Sequence, residues 1–283
     1  MASLYGWAIK ISWLGADHTY VTSSDGFAWG CWGRSSGGKT ICASTGSSGK
    51  ANCISQPGST AGLIYGITGV CHQTANRILY PARAIVSDAA GYWASILLYG
   101  TYGTSLAEWE IRKSNCISGV LGLKAQESES TAITRIVKEP TPEPGIKAYL
   151  DKVDAIYAAQ TSNMKIPTLP EAKTREFLSQ ELGLLFDYRL GLANIKTNSK
   201  NITTLQKLQA SILGEKENFD GALIGGNISA AEYAQKVNGL LMAFMKESGS
   251  LLGRDVHTKV FGMPPDAIFM VADPKELAKY NKK

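Results

Sequence analysis

The sequence predicts an α+β protein, with an antiparallel sheet and one cysteine-bearing helix in its first half and an all-α domain in its second. Three observations lead there. All six tryptophans and all five cysteines precede residue 117, in a stretch rich in β formers and turn residues. After residue 145 the chain turns to Ala, Leu, Lys and Glu at helical spacing. Between the two lies "KEPTPEPG", residues 138–145, whose alternating prolines favour an extended, semi-rigid linker. The expected division is residues 1–138, a linker at 139–145, and a helical bundle at 146–283.

The elements follow in order. "YGWAIKISWL" alternates as a strand and "HTYVT" continues as a second. "SSDG" is a turn signal, and "FAWGCW" returns as the hairpin partner. Residues 33–62 are rich in Gly and Ser and are expected to form a long loop with short strands. "CHQTANRILY" has the spacing of a helix of about three turns, stopped by Pro81. "YWASILLYGTYG" is expected to form one or two buried strands, and "LAEWEIRK" a strand or a helix. In the second half, helices are expected near 145–160, 170–190, 202–214 and 228–250. "KIPTLPEAKTREFL" carries a helix-start signal, with proline near the first turn. Ser229 with Glu232 three residues on forms a capping-box pattern. "SILG" at 211–214 and "SLLG" at 250–253 echo one another, and each is expected to end a helix at its glycine.

Composition narrows the function. The net charge is +5, of which residues 1–138 carry +4 and residues 139–283 carry +1. Neither half concentrates its Lys and Arg into the basic stripe of a nucleic-acid binder. No run of 18 apolar residues exists to span a membrane. "MASLYGWAIKISWLGADH" lacks a basic n-region followed by an apolar core. The expectation is a cytoplasmic protein, or one exported without a cleaved Sec signal. Five cysteines, an odd number, argue against a full disulfide framework.

The candidate chemistry centres on "GVCHQTANRIL", residues 69–79. A glycine-containing turn hands over to a helix that begins at Cys71. There the dipole and the unpaired first-turn N–H groups favour a thiolate and could hold an oxyanion. Cys71 also shares a helical face with Ala75, Ile78 and Leu79, so a buried, inert cysteine is the competing reading. A catalytic cysteine needs a base. His72 adjoins Cys71 on the helix, and such neighbours do not face each other. His257 lies in the helical half and looks like a helix-end residue. His18, in "ADHTYV" at the start of a strand, is the best base.

A strand histidine, then a hairpin, then a cysteine opening a helix resembles the circularly permuted papain-like fold. That group includes permuted NlpC/P60 and lecithin–retinol acyltransferase-like proteins. "DHTYV" supplies the histidine strand and "GVCHQTANRIL" the cysteine helix, and the likeness covers about residues 1–115. The resemblance implies a thiol-dependent acyl-transfer enzyme, either a peptidase or amidase or an acyltransferase, with Cys71 as nucleophile and His18 as general base. It implies a peptide or amide-containing substrate and no cofactor. The polar side chain that orients the histidine in such proteins is not visible. "FAWGCWG" has no carboxylate or amide, Asp17 points away from His18, and Asn52 and Gln56 cannot be placed. Tyr65, six residues before Cys71, is a candidate oxyanion donor.

Three other readings compete. "GRSSGGKT", residues 33–40, matches the phosphate-loop pattern, with Lys39 reaching phosphate and Thr40 magnesium. That loop needs a helix after it, and the glycines and serines of "ICASTGSSGKANC" argue against one. Cys31, Cys42 and Cys53 are evenly spaced but lack the close pair of a structural zinc site. Finally, the chain could be a non-catalytic module whose helical domain meets a protein partner or a second copy of itself.

Overall fold

Alternation in "ASLYGWAIKI" makes β1, Ala2–Ile11, which turns Leu4 and Ala8 to one face and Trp7 and Ile9 to the other. The computed structural model describes residues 1–118, 140, 143–161 and 171–280. β2, Ala16–Ser23, pairs antiparallel with β1 and sets His18 opposite Ile9. β3, Ala28–Trp29, reaches β2 only at Val21 and Thr22. β4, Lys39–Gly46, pairs with the far side of β1, which gives the sheet order β3-β2-β1-β4.

The shortness of β3 leaves the outer edge of β2 uncovered at residues 17–19. The Asp17 N–H donates to the Ala90 carbonyl at 3.0 Å, and the Asp17 carbonyl accepts from His72 Nε2 at 3.0 Å. The backbone groups of Asp17 therefore point away from β1, and those of Thr19, two residues on, point the same way. This open edge is where the cysteine helix docks.

Helices complete the first half: α1 at Ser48–Ser55, α2 at Cys71–Leu79, α3 at Tyr92–Tyr99 and α4 at Leu106–Ile117. A Cys53–Cys116 disulfide ties α1 to α4, although Cys116 offers no pairing pattern in the sequence. In the second half α5 spans Ile146–Thr161, α6 Glu171–Leu192, α7 Ser199–Ile224 and α8 Ala230–Leu252. α9 at Arg254–Phe261 and α10 at Pro274–Tyr280 follow. The α+β class holds, as a four-stranded antiparallel sheet followed by a largely helical region. Among the described residues no helix is long and apolar enough to cross a membrane.

Several local expectations are corrected. Residues 33–62 hold a full strand, β4, and a helix, α1, whose Ser47 side chain caps the Lys50 N–H at 3.3 Å. "YWASILLY" is the helix α3 and not a strand, and all eight of its residues are buried. A short apolar run surrounded by core has no exposed face to reveal its period. The echo at 211–214 and 250–253 fails in its first copy. Gly253, at φ +78°, ends α8, while Gly214 sits inside α7. The Ser229–Glu232 capping box is formed, with Glu232 N–H to Ser229 Oγ at 3.2 Å and Ser229 N–H to Glu232 Oε2 at 2.9 Å. "KIPTLP" and residues 139, 141 and 142 of the linker lie outside the described residues. The linker's described end packs on α6, where Arg189 pairs with Glu143 at 2.8 Å and Tyr188 donates to the Pro144 carbonyl at 3.0 Å.

One hydrophobic core runs through both halves, from Leu4 of β1 to Leu277 of α10. Buried polar groups stitch the halves together. Gln209 of α7 donates to the Leu97 carbonyl at 3.0 Å, Lys216 to the Ile67 carbonyl at 2.7 Å, and Tyr233 of α8 to the Gly66 carbonyl at 2.6 Å. Within this core α2 is enclosed on every side. Its polar residues His72, Gln73, Asn76 and Arg77 are buried. Gln73 donates to Ser95 Oγ and the Gly100 carbonyl, both at 3.0 Å. Asn76 donates to the Thr101 carbonyl at 2.9 Å. Arg77 donates to the carbonyls of Tyr102 and Ala61 at 2.6 and 2.8 Å and pairs with Glu108 at 2.7 Å. The polar face of α2 thus holds the surrounding loops, so the first residue of α2 is fixed from several directions.

Candidate active site

Cys71 is the first residue of α2. Val70 precedes it in extended conformation, and the Val70 N–H donates to Gln73 Oε1 at 3.2 Å. First-turn N–H groups of a helix have no intrahelical acceptor, so those of Cys71 and His72 open towards the space before the helix. That space is a cavity of about 730 Å³. Cys71, His18 and Tyr65 all line it.

The sulfur meets the open edge of β2. It forms a side-chain hydrogen bond with His18 and lies 3.9 Å from the Asp17 carbonyl. Burial alone would raise the Cys71 pKa, but the His18 hydrogen bond and charge outweigh it and hold the thiol below its ordinary value. For His18 burial pulls the pKa down, and the hydrogen bond and negative charge of Cys71 outweigh that and raise it. Each group favours the charged form of the other, as in a thiolate–imidazolium pair.

His18 is held on its other side by a backbone carbonyl. Its Nε2 donates to the Arg34 oxygen at 3.1 Å, which leaves Nδ1 for the sulfur. The loop 30–34 delivers that carbonyl. Cys31 and Trp32 both adopt left-handed φ, 48° and 68°, and the Gly33 N–H closes on the Gly30 carbonyl at 2.9 Å. Two consecutive left-handed residues are the mark of a type I′ turn, and for non-glycine residues they cost on the order of 1–2 kcal/mol each. Gly33 lies against the imidazole, where a Cβ would be 2.5 Å from Cε1. His18 also stacks on Tyr20, with ring centroids 6.4 Å apart.

The orienting group that sequence reasoning sought as a side chain is therefore the Arg34 carbonyl, for which no side-chain signal exists. Asn52 instead accepts from Trp29 Nε1 at 3.2 Å, and Gln56 donates to Ser55 Oγ at 3.4 Å. His72 is buried between Ser95 Oγ at 3.2 Å and the Asp17 carbonyl at 3.0 Å. Burial pushes its pKa down to about 4, so it is a neutral brace between α2 and β2. His257 is buried in α9, its Nδ1 3.1 Å from the Met263 carbonyl.

Tyr65 is tied to the far end of the chain. Its hydroxyl accepts from the Asp273 N–H at 3.2 Å. The segment 269–273, which the sequence assigns to a separate helical domain, forms a wall of the cavity through Phe269, Met270, Val271 and Asp273. Met270 N–H donates to the Leu14 carbonyl at 2.8 Å. The Asn238 side chain of α8 accepts from Val271 and Ala272 N–H at 2.9 and 3.0 Å and donates to the Ala272 carbonyl at 2.9 Å.

The competing motifs take other forms. "GRSSGGKT" runs into a strand, with Lys39 and Thr40 on β4, so no helix N-terminus follows it as a phosphate loop requires. It is a strap across the sheet, where the Gly37 carbonyl accepts from Tyr20 Oη at 2.6 Å. Cys31 and Cys42 are free while Cys53 is in the disulfide, and among the described residues no group of three His, Cys, Asp or Glu could hold a metal ion. No protein-family model, curated protein or solved structure matches this chain.

Proposed function

We propose that the protein is a cysteine-dependent acyl-transfer enzyme, a peptidase or amidase or an acyltransferase, that works through Cys71 and His18. The observation that carries this reading is the hydrogen bond between the Cys71 and His18 side chains at the mouth of a helix N-terminus, with His18 fixed by the Arg34 carbonyl. The order of strand histidine and helix cysteine, like that of permuted papain-like proteins, also supports it.

In this reading the Cys71 thiolate attacks the carbonyl carbon of an amide or ester and forms a C–S bond. The carbonyl oxygen becomes an oxyanion that the N–H groups of Cys71 and His72 hold, with the Tyr65 hydroxyl beside them. The His18 imidazolium gives its Nδ1 proton to the leaving amine or alcohol as the C–N or C–O bond breaks. Neutral His18 then takes a proton from the acceptor, which attacks the thioester and releases the sulfur as thiolate. Water as acceptor gives hydrolysis, and an amine or alcohol gives transfer. The Nε2–H to Arg34 bond keeps the ring in one tautomer throughout.

A thiol alkylating agent at pH 6–7 tests the reading. Cys71 should be modified ahead of Cys31 and Cys42, whose thiols burial pushes up, that of Cys42 to about 12. His18→Ala should slow Cys71 labelling at that pH by about tenfold or more, as loss of an imidazolium partner implies. Uniform labelling, or labelling indifferent to His18, would refute the pairing.

A further inference from the structure

The wall that the end of the chain gives to the Cys71 cavity carries a carboxylate without a counter-ion. Asp273 lines the cavity and is only 8% exposed. It precedes α10, and its Oδ1 caps that helix by accepting the Lys275 N–H at 2.8 Å. Ser, Thr or Asn would cap the helix without a charge, so capping does not call for the second oxygen. Among the described residues Oδ2 receives no hydrogen bond and the carboxylate has no ion pair. A side chain of this kind is seldom so enclosed unless it is paired. Glu276 follows three residues on, on the same side of α10, and also lines the cavity. Lys279 pairs with its Oε1 at 2.7 Å, while its Oε2 is shielded from solvent and has no donor. The basic residues of the cavity, Lys10, Arg34 and Lys279, are all exposed, where water screens them. Asp17 is already engaged, its Oδ2 accepting the Ala90 N–H at 2.9 Å. The Asp273 N–H donates to the Tyr65 hydroxyl at 3.2 Å, which ties this wall to the side of the cavity that leads into Cys71.

We propose that Asp273 is a specificity-determining residue for a cationic substrate. Its Oδ2 takes an ammonium or guanidinium group of the amide or ester whose carbonyl Cys71 attacks, and Glu276 adds negative potential beside it. The inference rests on the Cys71–His18 reading and names the substrate class for it. A cation on an aliphatic stem suits the approach, because Phe269, Met270 and Val271 line the cavity along the segment that ends at Asp273. A lysine or arginine side chain and a free N-terminal amine share this chemistry.

The test labels Cys71 in the full chain at pH 6 with methanethiosulfonates of three charges: aminoethyl, sulfonatoethyl and methyl. The thiolate displaces methanesulfinate from each, and mass spectrometry of the Cys71 peptide gives the rates. Asp273→Asn should lower the ratio of the aminoethyl to the sulfonatoethyl rate by about tenfold, the scale of one unit charge acting at short range in a shielded site. The methyl rate should not change. Asp273→Ser also keeps a cap for α10 and should show the same loss, which separates charge from folding. Two competitors against the methyl reagent identify the source. N-acetyl-lysine methylamide carries only a side-chain ammonium, and alanine methylamide only an α-ammonium. The one that protects Cys71 in wild type and not in Asp273→Asn carries the recognised group. An unchanged charge ratio in both folded variants, or protection by neither competitor, overturns the role of Asp273 and leaves the Cys71–His18 pair standing. Methyl labelling of Cys71 no faster than that of Cys31 and Cys42 overturns the pair itself, and this inference with it.

Discussion

At the scale of single residues, the site depends on a place where a side chain is missing. The Gly33 Cα lies against the His18 ring, so a Cβ there would fall 2.5 Å from Cε1 and 2.6 Å from Nε2. Neither the ring, stacked on Tyr20, nor the turn that closes at Gly30 can yield without moving the other. Gly33→Ala should therefore displace the imidazole and break its bond to the Arg34 carbonyl. The expected outcome is a folded protein in which Cys71 labelling at pH 6 falls towards that of His18→Ala. Circular dichroism and the alkylation rate together check it, and an unchanged rate would show that His18 does not need this seat. The sequence makes Cys71 and His18 legible because their chemistry is written in their side chains. It hides the Arg34 carbonyl because every residue has one. Only the two left-handed residues before Gly33 make that carbonyl special, and Cys31 and Trp32 are residue types that seldom announce such a turn.

At the scale of elements, the strands of β1 and β2 and the helix α2 follow from alternation and spacing, while α3 does not. Its eight buried residues contact core on all sides, and their helicity is set by what packs around them. One of those neighbours, α6, sends Glu181 into the same region, where it is fully buried and accepts from the Thr101 N–H at 2.7 Å and from the Thr101 hydroxyl. Burial raises its pKa from 4.5 to about 7 against the opposing pull of those hydrogen bonds. The folded state thus holds a proton that the unfolded chain releases near pH 4.5. The stabilisation is complete below pH 4.5 and is lost as pH rises through 7, to the extent of roughly 3 kcal/mol. Burial of neutral His72, whose pKa falls from 6.5 to about 4, works in the opposite direction, with stability lost as pH falls through that window. Glu181→Gln separates the two, because it keeps an acceptor for Thr101 and removes the titration. Its melting temperature relative to wild type should rise between pH 4.5 and 8. A constant difference across that range would mean that Glu181 is ionised throughout in the fold.

At the scale of the whole molecule, the compositional break at residues 138–145 is real, but it does not separate two cores. Composition reports which secondary structure each half prefers, whereas the extent of a core depends on which buried faces meet. Here the helical half supplies partners that the first half lacks. Tyr233, Lys216 and Gln209 satisfy the carbonyls of Gly66, Ile67 and Leu97, and Glu181 satisfies Thr101. Phe269, Met270 and Val271 close one side of the cavity, held by the single amide of Asn238. Residues 66 and 67 stand in the turn that leads into Cys71, so removing the second half would release the approach to Cys71 as well as expose apolar surface. A fragment of residues 1–118 should therefore fail to unfold cooperatively and should lose the selective low-pH labelling of Cys71, even though it contains Cys71, His18, Gly33 and Tyr65. Thermal denaturation and alkylation of the fragment beside the full chain check this. A cooperative transition with preserved Cys71 reactivity would show instead that the first half is self-sufficient, and that the helical half only leans on a site already built.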